Sequence, residues 1–419
     1  MTTDQISMLM LALAVIALLS FAGGALARRL GQPPVIGEIL LGVALGPTLL
    51  SGAISDHLFP TDIRPFLTAL ANIGVALFMF TVGAEMDAKL LRGRRLVAGT
   101  VAAGSIALPF GLGAVLAVYL LGHHPSDNRT GFILFMGAAM SVTAFPVLAR
   151  ILTDRGMHRT WLGNVALACA AIDDVLAWTL LAVVVAIAGS GTTLLLLLFI
   201  PYLLVMALVV RPALRRLLAY RSDGSGHQRR ALAITLVGLL LSAAFTEWIG
   251  LHFIFGAFLF GAVMPRTSEA SPRVDVIGGV TERISNLNGI LLLPIFFIVA
   301  GLKVNLSGMG GADFLDLALI LLVAVGGKFL GAFSAARLTG MAGRPATALA
   351  VLMNTRGLTE LIILTVGLQL GVLNGRLYSA MVVMALVTTT MAGPILNLIY
   401  PVRRADIDAS PDPAVQPSR

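Results

Sequence analysis

Two adjacent aspartates, Asp173 and Asp174, interrupt the apolar run from Val165 to Val185. A bilayer-spanning helix needs roughly 20 mostly apolar residues, and this run meets that length. One carboxylate at the centre of such a helix costs about 2.5–3.5 kcal/mol on insertion scales. A chain that carries two uses them, and intramembrane carboxylates serve to bind or move a cation or a proton. A capping or loop pair is the alternative reading, but apolar residues flank the aspartates on both sides.

The surrounding chain fits a membrane. It is 58% hydrophobic and only 12% charged, against roughly 25% charged residues in soluble domains. So few charges cannot cover the surface of a soluble protein of this size. The 44 glycines suit closely packed transmembrane helices. The expected fold class is an all-α polytopic membrane protein. A net charge of +8 would suggest nucleic acid if it were clustered, but the basic residues lie in short loops, where they act as topology signals. No nucleic-acid partner and no cofactor is expected. The single cysteine, Cys169, excludes an internal disulfide and reads as packing. With no basic segment before its first apolar run, the N-terminus reads as a retained helix rather than a signal peptide.

Thirteen spans are expected, at about 6–27, 33–50, 65–85, 96–121, 130–152, 161–188, 193–218, 230–249, 251–265, 284–303, 314–338, 345–371 and 376–401. Lys and Arg alternate between their loops. One side gathers Arg28, Arg29, Lys89, Arg92, Arg155, Arg215, Arg229, Arg337 and Arg403, whereas the other has only Arg64, Arg129, Lys303 and Arg376. The positive-inside rule then puts the N-terminus outside and the C-terminus in the cytoplasm, in a multi-pass protein of the plasma membrane, here a bacterial inner membrane. Residues 1–402 form the membrane domain, and 403–419 a short disordered tail.

The two halves echo each other. Ile36-Gly-Glu-Ile-Leu-Leu-Gly-Val-Ala-Leu-Gly-Pro47 resembles Phe255-Gly-Ala-Phe-Leu-Phe-Gly-Ala-Val-Met-Pro265, and Leu77-Phe-Met-Phe-Thr-Val-Gly-Ala-Glu-Met-Asp87 resembles Ile295-Phe-Phe-Ile-Val-Ala-Gly-Leu-Lys-Val-Asn305. Both pairs are offset by about 218 residues, which chance apolar similarity does not readily produce. In the expected topology the paired spans enter from opposite sides. The layout is a 6+1+6 inverted repeat: a first repeat over 6–188, a linker helix over 193–218 and a second repeat over 230–401. Inverted repeats mark alternating-access transporters with a site near the midplane.

Three more features carry chemistry beside the aspartates. Adjacent helix positions point about 100° apart, so Asp173 and Asp174 cannot share one face. Lys328 lies in mid-span, where a snorkelling role fits poorly, and the aspartates are its natural counter-ion. In Ser141-Val-Thr-Ala-Phe-Pro146 a proline frees backbone carbonyls beside the Ser141 and Thr143 hydroxyls; this is either an oxygen-lined cation site or a simple kink. Arg356 and Glu360, spaced i,i+4, can pair along one face and compensate helix ends at a break. Glu38 lines a crevice or a dimer face. Glu85 and Asp87 read as interfacial. The six histidines, among them His123, His124, His158 and His227, read as solvated rather than ligating, with His158 and His227 open to pH sensing.

Ile36-Gly-Glu-Ile-Leu-Leu-Gly, Thr143-Ala-Phe-Pro, Ala171-Ile-Asp-Asp-Val-Leu-Ala-Trp178, Gly327-Lys-Phe-Leu-Gly and Arg356-Gly-Leu-Thr-Glu together resemble the monovalent cation:proton antiporter-2 family, from residue 6 to about 402. That family includes sodium/proton exchangers with an Asp-Asp pair and the Kef-type potassium/proton antiporters. The resemblance implies a homodimer in which a core domain moves against a dimerisation domain, with two broken helices crossing beside the ion site. Those helices would hold Thr143–Pro146 and Met353–Glu360. By motif, Asp174 matches the essential ion-binding aspartate, Asp173 the position of a second acid in electrogenic members, and Lys328 the lysine paired with an acid. The resemblance implies exchange of Na⁺ or K⁺ for protons in the lipid bilayer, at a metal site of Asp174, Asp173, Thr143 and Ser141. Pro146, Arg356 and Glu360 would then be structural residues of the broken helices. The Kef systems' C-terminal nucleotide-binding domain has no counterpart in this chain. An intramembrane aspartyl protease would need aspartates converging from two helices. Electrogenic exchange is expected; the alternatives are a K⁺-selective or electroneutral K⁺/H⁺ exchanger, or a channel or cation-coupled solute importer on the same fold.

Overall fold

The computed structural model describes residues 2–48, 53–85, 95–157, 160–188, 198–219, 225–265 and 276–400. Among them the secondary structure is entirely helical. In order, the helices are α1 (Thr3–Arg29), α2 (Pro34–Leu45), α3 (Ala53–Leu58), α4 (Arg64–Glu85), α5 (Arg95–Leu120), α6 (Arg129–Ser141), α7 (Phe145–Asp154), α8 (Trp161–Ala188), α9 (Phe199–Val205), α10 (Arg211–Ala219), α11 (Ser225–Trp248), α12 (Phe253–Val263), α13 (Val276–Leu287), α14 (Leu293–Leu302), α15 (Gly311–Leu338), α16 (Gly343–Met353), α17 (Leu358–Gln369) and α18 (Gly375–Ile399). Single π-turns, Met206–Val210 and Asn288–Leu292, join α9 to α10 and α13 to α14.

Nine of these segments are long and apolar enough to cross a membrane among the described residues, or ten if α16 and α17 count as one span bent by 42°. The expected spans at 33–50 and 251–265 shrink to helices of 12 and 11 residues. At 1.5 Å per residue each is about 18 Å long, against a hydrocarbon core of about 30 Å. Punctuation sets their ends: Pro34 opens α2, Gly46 and Pro47 follow it, and Pro265 follows α12. The expected spans at 130–152 and 345–371 are each two helices around a break. Asp87, His158 and residues 401–419 lie outside the described residues, as do the side chains of Glu85 and His227.

The helices sort into two compact units, with the boundaries falling inside α1, α2 and α8. The first comprises Met1–Ala22, Glu38–Asp87 and Ala182–Lys303. There α4 packs on α12 and α14, and a reciprocal glycine contact sets its spacing from α12. A Cβ on Gly83 would stand 2.1 Å from the Phe258 carbonyl oxygen, and one on Gly261 would stand 2.1 Å from that of Phe80. Gly42 of α2 and Gly301 of α14 meet likewise: a Cβ on either would stand 2.7 Å from a carbonyl oxygen of the other helix, that of Ile298 and of Ile39 respectively. Glu38 is buried in this unit and accepts a hydrogen bond from Ser20 Oγ at 2.7 Å.

The second unit comprises Gly23–Gly37, Ala88–Leu181 and Val304–Arg419. Here α15 packs along α5 and also meets α16 and α18, and α5 packs on α6. Buried Leu148 and Leu152 of α7, Val165 and Cys169 of α8, and Leu349 and Leu352 of α16 form a continuous apolar core. At roughly 25 cal/mol per Å² of buried apolar surface, such side chains contribute about 1.5–3 kcal/mol each, which is what holds the two helix breaks in register.

Candidate functional site

Both breaks lie in the second unit. Pro146 lacks the N–H that would bond the Val142 carbonyl, so α6 stops at Ser141 and α7 begins at Phe145. Val142 and Ala144 between them are extended, with ψ of 140° and 96°. The other break rests on Gly357, at φ 152°, a conformation that side chains rarely adopt. A Cβ there would also meet Val147 at 2.7 Å. The two breaks bond to each other. Ala144 N–H donates to the Thr355 carbonyl at 3.0 Å, and Thr143 Oγ1 lies 3.0 Å from that of Met353.

A helix that ends in the protein interior leaves four carbonyls without partners. At the end of α6 all four are served. Ser141 Oγ donates to Ala138 O at 2.8 Å. The Arg356 guanidinium donates to Ala139 O at 2.8 Å and Met140 O at 2.6 Å. Lys328 Nζ donates to Ser141 O. Two cations thus sit where the partial negative charge of the helix end concentrates.

The same cations meet the carboxylates. Arg356 Nη1 pairs with Glu360 Oε2 at 2.8 Å, both side chains fully buried. Thr389 of α18 holds the Arg356 backbone, donating to its carbonyl at 2.8 Å and accepting from its N–H at 3.2 Å. Lys328 Nζ pairs with Asp173 Oδ2 at 2.9 Å, again fully buried. Asp173 Oδ2 also receives the Thr143 hydroxyl at 2.6 Å, and Ser105 of α5 lies 3.0 Å from both Asp173 oxygens. Asp174 differs. It is 1% exposed, yet neither oxygen has a hydrogen-bond partner. The backbone of Phe145, at the start of α7, is the nearest polar group that acts on it.

The sequence-derived candidates therefore divide. Thr143, Asp173 and Lys328 meet at one point, and Arg356 and Glu360 at a second. Lys328 serves Asp173 rather than Asp174. The Ser141 hydroxyl turns back onto its own helix, and its carbonyl meets Lys328. Ser105 and Thr389 escaped the sequence reading, because a lone hydroxyl in a membrane helix more often bonds its own backbone. His124 is a correction: expected in solvent, it is buried and bonded to Asp316 and Asn374. Its two partners arrive from 192 and 250 residues away.

The chain is 39% identical over 413 residues to the Na(+)/H(+) antiporter NhaS4 of Synechocystis, covering 96% of this chain and 99% of that one. It is 35% identical over 390 residues to the K(+)/H(+) antiporter 1 of Saccharomyces cerevisiae, covering 88% of this chain and 44% of that one. The chain thus spans less than half the length of the yeast relative. Its fold matches that of the sodium proton antiporter MjNhaP1 of Methanocaldococcus jannaschii, with a TM-score of 0.68, 15% identity, and 97% and 98% of the two chains covered. The class is that of the membrane-embedded cation/proton antiporters. Residues 14–400 match the family model "Sodium/hydrogen exchanger, transmembrane", and the chain belongs to that family.

Proposed function

We propose that the chain exchanges Na⁺, or K⁺, for protons by alternating access, with Asp174 as the ligand for which cation and proton compete. One observation carries this reading. Three buried acids (Asp173, Asp174 and Glu360) stand with two buried bases (Lys328 and Arg356), and the two ion pairs consume all but Asp174. An unpaired buried carboxylate is costly, so it takes either one monovalent cation or one proton, and never both. That competition makes the exchange obligatory. Oxygens around Thr143 and Asp173 complete the cation's shell. The relatives' names favour Na⁺ on one side and K⁺ on the other; Na⁺ is the first choice and K⁺ the alternative.

Asp173 with Lys328 sets the charge moved per cycle. If the pair opens and takes up a further proton, more protons than cations cross, and exchange is electrogenic. At 100 mV each net charge is worth about 2.3 kcal/mol, enough to drive cation extrusion. The protein works as a homodimer in the plasma membrane, N-terminus outside and C-terminus in the cytoplasm. Its architecture is a 6+1+6 inverted repeat of thirteen membrane-embedded segments, of which α2 and α12 are too short to cross a bilayer core on their own. The reciprocal glycine contacts support the repeat, because the shift of about 218 residues that relates the sequence echoes carries the Gly42–Gly301 contact onto Gly261–Gly83.

Proteoliposomes under an imposed pH gradient test the assignment. Asp174→Asn should reduce Na⁺- or K⁺-coupled proton flux at least a hundredfold, and near wild-type exchange by that variant would refute Asp174 as the ligand.

A further inference from the structure

Where α5 ends, the chain turns back and buries a histidine. His124 is 5% exposed, and its N–H donates to the Leu120 carbonyl at 2.7 Å. Its Nε2 lies 3.2 Å from Oδ2 of Asp316, and His123 Nδ1 lies 3.1 Å from the same oxygen. Asp316 is itself 2% exposed, in the second turn of α15. Along that helix it is about 18 Å from Lys328. The cluster is therefore separate from the ion site.

The other nitrogen of His124 determines its protonation. Nδ1 lies 3.0 Å from Asn374 Nδ2. Asn374 is the N-cap of α18, and its Oδ1 accepts from the Leu377 N–H at 2.9 Å. A backbone N–H can only donate, so the amide oxygen must face Leu377 and the amide NH₂ must face His124. His124 Nδ1 is thus an acceptor, and its one proton sits on Nε2, donated to Asp316. A second proton would set N–H against N–H. Asn374 cannot turn over in response without abandoning the cap of α18.

The surroundings are few and specific. Tyr119 of α5 meets the half-exposed His123 ring edge-on at 5.1 Å. One turn before Asp316, Asp313 lies 3.8 Å from Arg376 of α18. Asp127 and Arg129 flank the start of α6, which packs on α5 and α15. Histidine is the side chain whose ordinary titration falls between about pH 5 and 8.

We propose that His123, His124, Asp316 and Asn374 form an acid-released clamp: a proton on His124 breaks its bond to Asn374, uncaps α18 and loosens the helix that supports the second break. The route to the site is α18 itself, whose Thr389 holds the Arg356 backbone. Acid on the side bearing residues 121–128 thereby slows exchange without touching the ion ligand.

Hydrogen exchange of segment 374–380, with the full chain in lipid nanodiscs, tests the clamp. His124→Gln is the reference, because glutamine can donate to Asp316 and accept from Asn374 but cannot titrate. The ratio of wild-type to variant exchange should be about one near pH 8 and rise about fivefold near pH 5.5, the scale of a lost N-cap. Asn374→Asp should reverse the sign, since its carboxylate keeps the cap and accepts from a protonated His124. A flat ratio, or an Asn374→Asp variant that loosens in acid like wild type, overturns the clamp. In proteoliposomes acidified on that side alone, His124→Gln should keep exchanging cations yet lose the slowing. An unchanged acid response in that variant overturns the link to the site.

Discussion

The two helix breaks are built from the same parts and end in opposite electrical states. Each brings a helix C-terminus against a helix N-terminus, and each has a carboxylate near the positive end of the second helix. At the break before α17 that carboxylate is Glu360, in the first turn, neutralised by Arg356 one turn earlier. At the break before α7 it is Asp174, brought in by α8 and left with no hydrogen-bond partner. Arg356 also crosses over to cap α6, so the second break spends its cation on the first. The proposed site for a mobile charge rests on this difference. One break is a closed structural joint, and the other is the same joint without its own positive charge.

Removing the shared cation should have the largest effect. Arg356→Leu leaves Glu360 unpaired and two α6 carbonyls bare, and should cost about 3–5 kcal/mol, read as a lowered melting temperature in detergent. Lys328→Leu should cost less, because Asp173 keeps the Ser105 and Thr143 hydroxyls. Equal losses would mean that the two breaks are not electrically distinct.

The next effect is one of sign. Glu360→Gln should lower stability by about 1–3 kcal/mol, since it strands a buried guanidinium. Asp174→Asn should leave the melting temperature unchanged or raise it, because the carboxyl it replaces has no hydrogen-bond partner to lose. A fall in both variants would break the contrast. Smallest is Thr143→Val, which deletes one donor to Asp173 at about 1 kcal/mol. Its cation-coupled flux should stay within about tenfold of wild type, the factor that 1.4 kcal/mol represents. A complete loss of exchange would make Thr143 an indispensable ligand rather than one oxygen among several.

Local chemistry was readable from the chain. The pairing of Arg356 with Glu360 was legible, at 2.8 Å, although Arg356 lies in the break before α17 rather than on one helix face with Glu360. Pro146 announces the end of α6, and the mid-span position of Lys328 announces a need for a counter-ion. Which aspartate would receive it was not readable, because that depends on the rotation of α8 against α5 and α15, fixed by packing between residues far apart in sequence. Ser105, 68 residues from Asp173, was invisible for the same reason. Hydropathy also overran punctuation. It extended α2 and α12 through prolines and glycines that stop them, so two expected spans are about half the length a bilayer core requires. His124 shows the converse error, a residue read as loop because its burial comes from elements the local sequence does not contain.

Lys328 belongs to α15, grips α6 through the Ser141 carbonyl and grips α8 through Asp173. A single ammonium group thus rivets three helices at one point. None of them can slip by one helical turn, about 5.4 Å, without stranding a charge in the interior. While that pair stays closed, any stroke that carries an ion moves these helices as one rigid bearing, and the compliance that permits the stroke has to be supplied by other parts of the chain.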